Sequence, residues 1–518
     1  MRRVSEEKTW LKKENIGLIL GPLLFVVAIL VPIPESMAEI AADKSMPVIA
    51  PQLALGVMLW MIVWWITECI PLGITGLIAP LALTVSGVLT IREAVQNFAD
   101  PIIWIFVSGF ILAASFQRWG LDKRIAYSLS LLYRGNNPKI AIFFVACLPV
   151  FLLTMTGSIT ASTTIVFPFL IAFMSILNIP IRTEKGEPPA RRSNYAEASF
   201  LSLGQAATAG AMLLLISTAP NLVAKATVEK FVPEETISFA NWFLIGTPHA
   251  IMGLLVSWTV IFLFIKPEIK SLPATREQFR ASLKTMGQMK REEKAVLSVL
   301  IGAMFLWVVP SLLRSSDIGD LGAFSGFANA FATNVTEAIP ALMIIVAVGV
   351  VRTGRKRPPL LKWDEMAKAV DWNIVMLFGG GLVLGFGMQA SGLADWMSTQ
   401  ISSGVGSDVT PWTIFAISAI MGFAISYAAS NTASAVITCP IAATLAIGSG
   451  INPIPPIIAA ALACSISSAI PSTTPPMAIV YSSGVVRISN MFKTGMTSDL
   501  IRLALLIFLG PLLIDLLF

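Results

Sequence analysis

The sequence predicts an all-α polytopic membrane protein with about eleven transmembrane helices plus two re-entrant hairpins, arranged as an inverted repeat. Composition is the first reason: the 518 residues are 55% hydrophobic and only 13% charged, with a mean hydropathy of +0.78. Ordinary soluble domains carry about twice that share of charge. The other two reasons are a recurring hydroxyl-rich stretch and a matching pair of proline breaks.

The hydroxyl-rich stretch Ser158–Thr163 recurs as Ser430–Ala435. A shift of 272 residues carries Ser158 to Ser430, and the same shift relates other pairs. Those pairs are Thr160 and Thr432, Pro168 and Pro440, Gln117 and Gln389, and Gly120 and Gly392. In both halves a Thr-Glu-x-Ile-Pro motif precedes the hydroxyl cluster and a proline-interrupted helix follows it. The chain is therefore predicted to be an internal duplication.

Apolar runs of the first half predict helices over 16–31, 53–66, 74–88, 102–116 and 242–265, and an interfacial amphipathic helix over 121–133. Residues 140–177 form two short apolar arms around the polar tip Thr154–Thr164, which predicts a hairpin that enters from the cytoplasm. The helix over 196–228 is predicted to break at Ser217–Asn221, because Pro220 lacks an amide proton and disfavours helix just before it.

The second half repeats this pattern with helices over 295–309, 339–351, 374–388 and 500–517. A second hairpin over 411–447 is predicted to enter from outside, with Ser430, Asn431 and Thr432 at its tip. The helix over 457–481 is predicted to break at Thr473–Pro476.

Basic residues predict the orientation, since cytoplasmic loops are enriched in Lys and Arg. They place the chain in an inner or plasma membrane with its N-terminus in the cytoplasm and its C-terminus outside. Four regions follow from this threading. They are residues 1–50 with the N-terminus, first helix and an external loop, residues 51–265 as the first repeat, residues 266–294 as a cytoplasmic loop, and residues 295–518 as the second repeat.

Each hydroxyl cluster directly precedes an apolar helix, so Ser158 and Ser430 are expected at helix N-termini. Free amides and the positive end of the helix dipole suit an anion there. Neither tip contains Lys, Arg or His, so hydroxyls, dipoles and a bound cation would have to hold it. The unwound segments also expose carbonyl oxygens, which suit sodium. Paired broken helices in inverted repeats predict a solute site near the bilayer midplane.

Other classes fit the sequence less well. A membrane-embedded enzyme would need convergent acidic, His or Cys side chains, and the two tips contain none. The sequence has no ring of charges of the kind that lines a channel. It also lacks the G-x-x-x-x-G-K-[ST] motif that is typical of an ATP-driven pump. Glu68 and Glu337 are interpreted as residues of helix ends, although a carboxylate at membrane depth is also where a proton could bind.

Four stretches together resemble the divalent anion:sodium symporter (DASS) family. They are Trp64–Leu72, Leu377–Leu382, Ser430–Ser434 and Thr474–Val480. The likeness extends through nearly the whole chain from the second helix onward. It implies a homodimer and an elevator-type transporter, in which a scaffold domain carries the dimer interface and a mobile transport domain carries both hairpins.

The resemblance also implies the ligands and their residues. Sodium would be the coupling ion, and a dicarboxylate, tricarboxylate or sulfate would bind between the tips. The substrate residues would be Ser158, Thr160, Ser430, Asn431, Thr432 and Thr474. The first sodium site would involve Thr154, Ser158 and Ser217, and the second would involve Ser426, Asn431 and Thr473.

Two positions depart from the family pattern, because Ile159 and Met477 stand where the pattern has Asn. An apolar side chain cannot donate a hydrogen bond to a carboxylate, so we expect asymmetric substrate binding with Asn431 as the main amide donor. A C4-dicarboxylate symporter is the leading interpretation. A sodium-independent exchanger, a sulfate carrier, a proton-coupled carrier and a carrier of monoanions or sulfonates stay open.

Overall fold

The computed structural model describes residues 13–179, 181, 193–272, 276–315, 325–405, 410–514 and 516–517. Residues 1–12 of the expected cytoplasmic N-terminus lie outside this range. The helices of the first half are α1 (Lys13–Leu30), α2 (Glu35–Asp43), α3 (Ala50–Thr67), α4 (Leu72–Gly76), α5 (Ile78–Val85), α6 (Ile91–Gln96), α7 (Pro101–Trp119), α8 (Leu121–Ser130), α9 (Pro138–Ile142), α10 (Leu148–Leu153), α11 (Ile159–Ile176), α12 (Asn194–Gly210), α13 (Ala219–Phe231) and α14 (Phe239–Phe264).

The second half continues with α15 (Arg276–Thr285), α16 (Arg291–Ser315), α17 (Ser325–Asn334), α18 (Ala338–Val350), α19 (Trp363–Ala369), α20 (Trp372–Ser391), α21 (Leu393–Val405), α22 (Pro411–Ala428), α23 (Asn431–Gly448), α24 (Ile454–Cys464), α25 (Pro475–Tyr481) and α26 (Ile488–Ile514). No β-strand occurs in the described residues, so the all-α prediction is confirmed.

Eleven helices in the described parts of the chain are long and apolar enough to cross a membrane. The chain is a multi-pass integral membrane protein. The eleven include both arms of each hairpin, at 18 or 19 residues an arm. An 18-residue helix is about 27 Å long, so the arms are longer than the sequence suggested, and the depth of their tips stays a prediction. The two broken helices are absent from this count because each half is too short.

Both predicted breaks occur, and both start earlier than expected. The first runs from Ala211 to Thr218, and Pro220 lies in the first turn of α13. Proline is tolerated there because first-turn amides have no helical acceptor. The second break runs from Ser465 to Thr474, ahead of the predicted Thr473.

Two stretches expected to be loops contain helices. The stretch of region 1–50 predicted as an external loop contains α2, and the stretch 266–294 predicted as a cytoplasmic loop contains α15. The last helix also differs, since α26 begins at Ile488 rather than at Leu500. The helix thus includes Asp499 and Arg502, and both side chains are buried.

The chain divides into two compact units that each combine parts of both repeats. Unit 1 comprises residues 1–103, 223–236 and 371–464, and unit 2 comprises residues 104–222, 237–370 and 465–518. The boundaries of the four regions drawn from the sequence stay predictions.

In unit 1 the glycine-rich helix α20 packs directly on α4. A Cβ atom on Gly380 would lie 2.0 Å from the carbonyl oxygen of Gly76, so no larger residue fits there. The Lys230 ammonium donates to Asn97 Oδ1 at 2.7 Å and to the Leu382 carbonyl of α20. These contacts hold the end of α13 within unit 1.

In unit 2 the long helices α14 and α26 pack against each other, and α12 packs on α14. The start of α12 is tied to the start of α26 by Glu197, which is fully buried. Its carboxylate accepts from the Arg487 backbone amide and Nε, both at 2.8 Å, and from Asn490 Nδ2 at 3.0 Å. Unit 2 thus holds α12 and both breaks, at 211–218 and 465–474, whereas α24 and most of α13 belong to unit 1.

Candidate functional site

The tip of the first hairpin lies in unit 2 and contains a left-handed glycine followed by a capping serine. After the 3-10 turn Thr154–Thr156, Gly157 has φ +100°. Its Cα passes close to α7, because a Cβ on Gly157 would lie 3.0 Å from Gly109 Cα. Ser158 is the N-cap of α11, and its Oγ accepts from the Ala161 amide at 3.1 Å.

The tip of the second hairpin lies in unit 1 and has an extended connection. α22 ends at Ala428, and Ala429 has φ −128° and ψ 171°. Ser430 is the N-cap of α23, and its Oγ accepts from the Ala433 amide at 3.3 Å. The prediction that Ser158 and Ser430 lie at helix N-termini is confirmed for both.

The remaining tip residues lie in the first helical turns. Ile159 and Asn431 are the first residues of α11 and α23, and each is 9% exposed. Thr160 and Thr432 follow them and are half-buried. Each first turn thus presents amides, a serine hydroxyl and a threonine hydroxyl, and the second adds a carboxamide. These are hydrogen-bond donors suited to an anion.

The first predicted sodium site falls entirely within unit 2. Thr154 Oγ1 lies 2.7 Å from the Phe151 carbonyl and 2.9 Å from the Gly210 carbonyl, where α12 ends. The 3-10 turns that carry Thr154 and Ser217 pack against each other, and both residues are fully buried. Ser217 Oγ accepts from the Leu214 amide at 3.1 Å. Hydroxyl and carbonyl oxygens at the end of a broken helix are ligands of the kind that coordinate sodium in transporters.

The second predicted sodium site is divided between the units. Ser426 and Asn431 belong to unit 1, at the end of α22 and the start of α23. Ser426 Oγ donates to the Phe423 carbonyl at 2.8 Å, which leaves its lone pairs available to a cation. Thr473 belongs to unit 2 and donates to the Ile470 carbonyl at 2.7 Å. The grouping of these three residues stays a prediction.

Thr474 is the N-cap of α25, but its side chain makes no capping bond. The residue is 2% exposed, and Oγ1 has no hydrogen-bond partner in the described structure. Such an orphaned hydroxyl costs free energy unless a ligand or water satisfies it. A hydroxyl without a protein partner is consistent with the prediction that Thr474 binds the substrate.

The two departures from the family pattern lie in different surroundings. Met477 is fully buried in α25, and its sulfur packs on α12, where a Cβ on Gly204 would lie 2.7 Å from Sδ. Its role in the structure is therefore packing. Ile159 lies beside the capping Ser158, in the first turn that would face an anion.

Unit 2 contains a buried ion pair that was not predicted from the sequence. Asp499 and Arg502 lie mid-way along α26 and are 0% and 4% exposed. The signal was present in the sequence as opposite charges three residues apart inside an apolar run. Glu68 and Glu337, by contrast, lie where predicted: Glu68 is the C-cap of α3 and Glu337 the N-cap of α18.

Sequence comparisons place the chain in a family. The profile described as "Sodium:sulfate symporter transmembrane region" matches residues 12–518, nearly the whole chain. The chain belongs to this family. A sodium-dependent dicarboxylate transporter, SdcS, of Staphylococcus saprophyticus is 32% identical over 507 residues, covering 97% of this chain and 92% of the relative. SdcS of Staphylococcus aureus is 30% identical over the same length and coverage.

The sodium:sulfate symporter family and these relatives are transporters, and the DASS resemblance drawn from four short stretches is thereby confirmed. A solved structure of Neisseria gonorrhoeae MtrF is 14% identical, with a TM-score of 0.49 over 82% of this chain and 84% of that chain. That likeness is too weak to add to the assignment.

Proposed function

We propose that the protein is a secondary active transporter that moves small divalent anions of the C4-dicarboxylate type, driven by sodium. The relatives named sodium-dependent dicarboxylate transporters support both the substrate class and the coupling ion. The proposed mechanism is elevator-type alternating access. Catalysis of a chemical reaction is not part of this proposal.

One observation carries the proposal: two apolar helices, α11 and α23, begin inside hairpin tips at serine caps. A helix N-terminus offers unsatisfied amides and a partial positive charge. Because the tips contain no Lys, Arg or His, they attract an anion without forming an ion pair to a fixed positive side chain. A transported ion must leave again, and dipoles with a co-bound sodium allow this.

The substrate residues we propose are one set from each hairpin and one hydroxyl from a broken helix. The first tip contributes Ser158 and Thr160, and the second contributes Ser430, Asn431 and Thr432. Thr474 adds its unsatisfied hydroxyl. Asn431 would be the main side-chain amide donor, because its counterpart in the first tip is Ile159.

Sodium is proposed as a co-transported ion at two sites. The first would use oxygen atoms of Thr154, Ser158 and Ser217, and the packing of the two 3-10 turns supports it. The second would use Ser426, Asn431 and Thr473. Ser158 and Asn431 would thus contact both sodium and the anion, so that each ligand favours binding of the other.

The assembly and orientation are also proposals. We propose a homodimer, with the N-terminus in the cytoplasm and the C-terminus outside. Cross-linking in native membranes tests the dimer. Labelling of Ser45→Cys and of Gly287→Cys, each in a variant without the four native cysteines, tests the orientation, since the predicted topology has residue 45 outside and residue 287 in the cytoplasm.

The proposal is tested by uptake of radiolabelled succinate into proteoliposomes. Vesicles receive an inward gradient of sodium or of potassium, and are empty or preloaded with succinate. We expect sodium-dependent uptake into empty vesicles. Uptake only into preloaded vesicles, indifferent to sodium, would instead identify an exchanger. Uptake driven by a proton gradient in potassium would identify proton coupling.

Sulfate is the second candidate substrate, because the matching family is described by sodium:sulfate symport. Competition by unlabelled sulfate against labelled succinate decides between them. A hundredfold excess of sulfate that leaves succinate uptake unchanged supports the dicarboxylate. No succinate uptake, together with sodium-driven sulfate uptake, would replace it.

A further inference from the structure

The two broken segments of unit 2 are each pressed against a glycine of a long helix. A Cβ on Gly246 of α14 would lie 2.1 Å from the Met212 carbonyl in the first break. A Cβ on Gly495 of α26 would lie 2.4 Å from Ala469 Cα in the second. The two breaks therefore pack alike, and their polar contacts can be compared directly.

Neutral side chains hold the first break. Asn221 Nδ2 donates to the carbonyls of Ala211 and Leu214, both at 2.8 Å. Trp242 Nε1 donates to the Met212 carbonyl at 3.1 Å. Two uncharged side chains thus satisfy three carbonyls of an unwound segment at this place in the fold.

A buried ion pair holds the second break. Asp499 accepts from the Ser468 amide at 2.6 Å and from Ser468 Oγ at 2.8 Å. Arg502 Nη1 donates to the Ile466 carbonyl at 3.1 Å. The guanidinium and carboxylate lie 3.6 Å apart, and their side chains are 3% and 0% exposed.

Arg502 also reaches the helix that leads into the first break. Its Nη2 lies 3.4 Å from the Thr208 carbonyl and its Nη1 lies 3.4 Å from Thr208 Oγ1. Thr208 belongs to the last turn of α12, where a cation complements the negative end of the helix dipole. Gly253 of α14 leaves space for this, since a Cβ there would lie 2.9 Å from Arg502 Nε. One guanidinium therefore contacts elements of both broken helices.

Charges in the middle of a 27-residue membrane span are costly to bury, and at membrane depth they usually serve function. The first break shows that neutral donors can hold such a segment. We propose that Asp499 and Arg502 are positioning residues that couple the two broken segments, so that sodium at one predicted site favours sodium at the other. Ser217 of the first site lies in the first break, and Thr473 of the second lies in the second break.

This inference rests on the proposed sodium symport. A shift of the second break on binding sodium would move the Ile466 carbonyl that Arg502 holds, and a shift of the first would reach Arg502 through Thr208 in the last turn of α12. The rigid guanidinium would pass either shift to the other side. Such coupling appears as cooperativity between the sites. Asp499 fixes Arg502 and Ser468 in one arrangement, so both members of the pair are required.

The test compares Arg502→Lys and the double variant Asp499→Asn/Arg502→Gln with the wild type. The double variant leaves no unpaired buried charge, which protects folding. Ser498→Ala is the matched control, because Ser498 is adjacent, fully buried and has an Oγ without a hydrogen-bond partner in the described structure. Initial succinate uptake into proteoliposomes is measured against sodium concentration at saturating succinate. Sodium-dependent thermal stabilisation in detergent, without succinate, provides a second readout.

We expect a wild-type Hill coefficient for sodium above 1, and a fall toward 1 in both pair variants. The half-saturating sodium concentration should rise about tenfold in the double variant. Ser498→Ala should match the wild type in both quantities. Folded pair variants with lower thermal stability but wild-type sodium curves would overturn the inference and leave a structural role only. A wild type whose uptake ignores sodium would overturn the proposed function first, and the inference with it.

Discussion

The first hairpin tip places Gly157 and Ile159 on either side of its capping serine, whereas the second places Ala429 and Asn431 there. Both serines accept a bond from the amide three residues later. The preceding backbone differs, with φ +100° in the first tip and φ −128° in the second. The serine cap is therefore common to both repeats, whereas the backbone conformation before the serine and the residue after it differ.

This difference separates two functions of the duplicated motif, namely helix capping and recognition of the substrate. Placing a helix N-terminus needs only the serine, and both tips do this. Recognising a carboxylate with a side-chain amide needs Asn, and only the second tip has it. The first tip instead follows a turn that carries Thr154 of the predicted sodium site. We infer that the second tip contributes more to substrate recognition than the first.

Removing the carboxamide should have the largest effect. In Asn431→Ala the half-saturating succinate concentration should rise about 10- to 100-fold, because a hydrogen bond to a charged group contributes about 1.5 to 3 kcal/mol. The matched variant Ile159→Ala should change it less than threefold. Uptake kinetics at saturating sodium measure both, after thermal unfolding shows both variants folded. Equal effects at the two positions would remove the proposed asymmetry.

Gly157→Ala should cause the next largest change. A left-handed backbone costs an L-residue about 1 to 2 kcal/mol, and the new Cβ would lie 3.0 Å from Gly109 Cα. We expect a lower unfolding temperature and a higher half-saturating sodium concentration, since the turn carries Thr154. The matched variant Ala429→Gly should lower the unfolding temperature less, because glycine costs only backbone entropy in an extended segment. A Gly157→Ala protein as stable as the wild type would contradict the strain.

The sequence predicted the duplicated architecture well because its signals are local. Apolar length is read from one continuous run, and proline or serine before such a run acts within one turn of helix, so both caps and both breaks could be located. Both breaks begin earlier than predicted, because neither Ala211 nor Ser465 is a helix-breaking residue. The unwound backbone is instead bound by side chains outside it: Asn221 donates to carbonyls of the first break, and Asp499 accepts from the Ser468 amide of the second.

The site was less predictable wherever it depends on contacts distant in sequence. Arg502 meets Thr208 almost 300 positions away, which no local pattern reports. Met477 stands at a position where the family motif suggested a ligand residue, but it packs on Gly204. Thr154 and Ser217 were paired from resemblance alone, and the packing of their 3-10 turns supports that pairing.

Adding a side-chain amide to the first tip tests the same difference between the tips by a gain of binding. In Ile159→Asn the half-saturating succinate concentration should fall about fivefold, because a new hydrogen bond contributes about 1 kcal/mol. The variant Ile159→Leu keeps the apolar volume and serves as the control. Uptake competition by succinate, sulfate and a monocarboxylate measures any change in selectivity. Unchanged affinity and selectivity in Ile159→Asn would show that the first tip does not contact substrate.

The smallest effects concern stability and distinguish capping from ligand binding. Ser158→Ala and Ser430→Ala should each lower the free energy of unfolding by about 1 kcal/mol, because each removes an N-cap bond. Thr474→Val should change it by less than about 0.5 kcal/mol, since the Thr474 hydroxyl has no partner in the described structure to lose. Thermal unfolding without sodium or succinate measures this difference.

The stabilisation produced by ligand should distinguish the Thr474 variant from the wild type, although their stabilities without ligand are similar. Succinate with sodium should stabilise the wild type, and Thr474→Val should lose part of that stabilisation despite its normal apo stability. Such a result would assign the Thr474 hydroxyl to the substrate rather than to the α25 cap. Full ligand-induced stabilisation in Thr474→Val would contradict its role in binding, and the asymmetry would then rest on Asn431 and Ile159 alone.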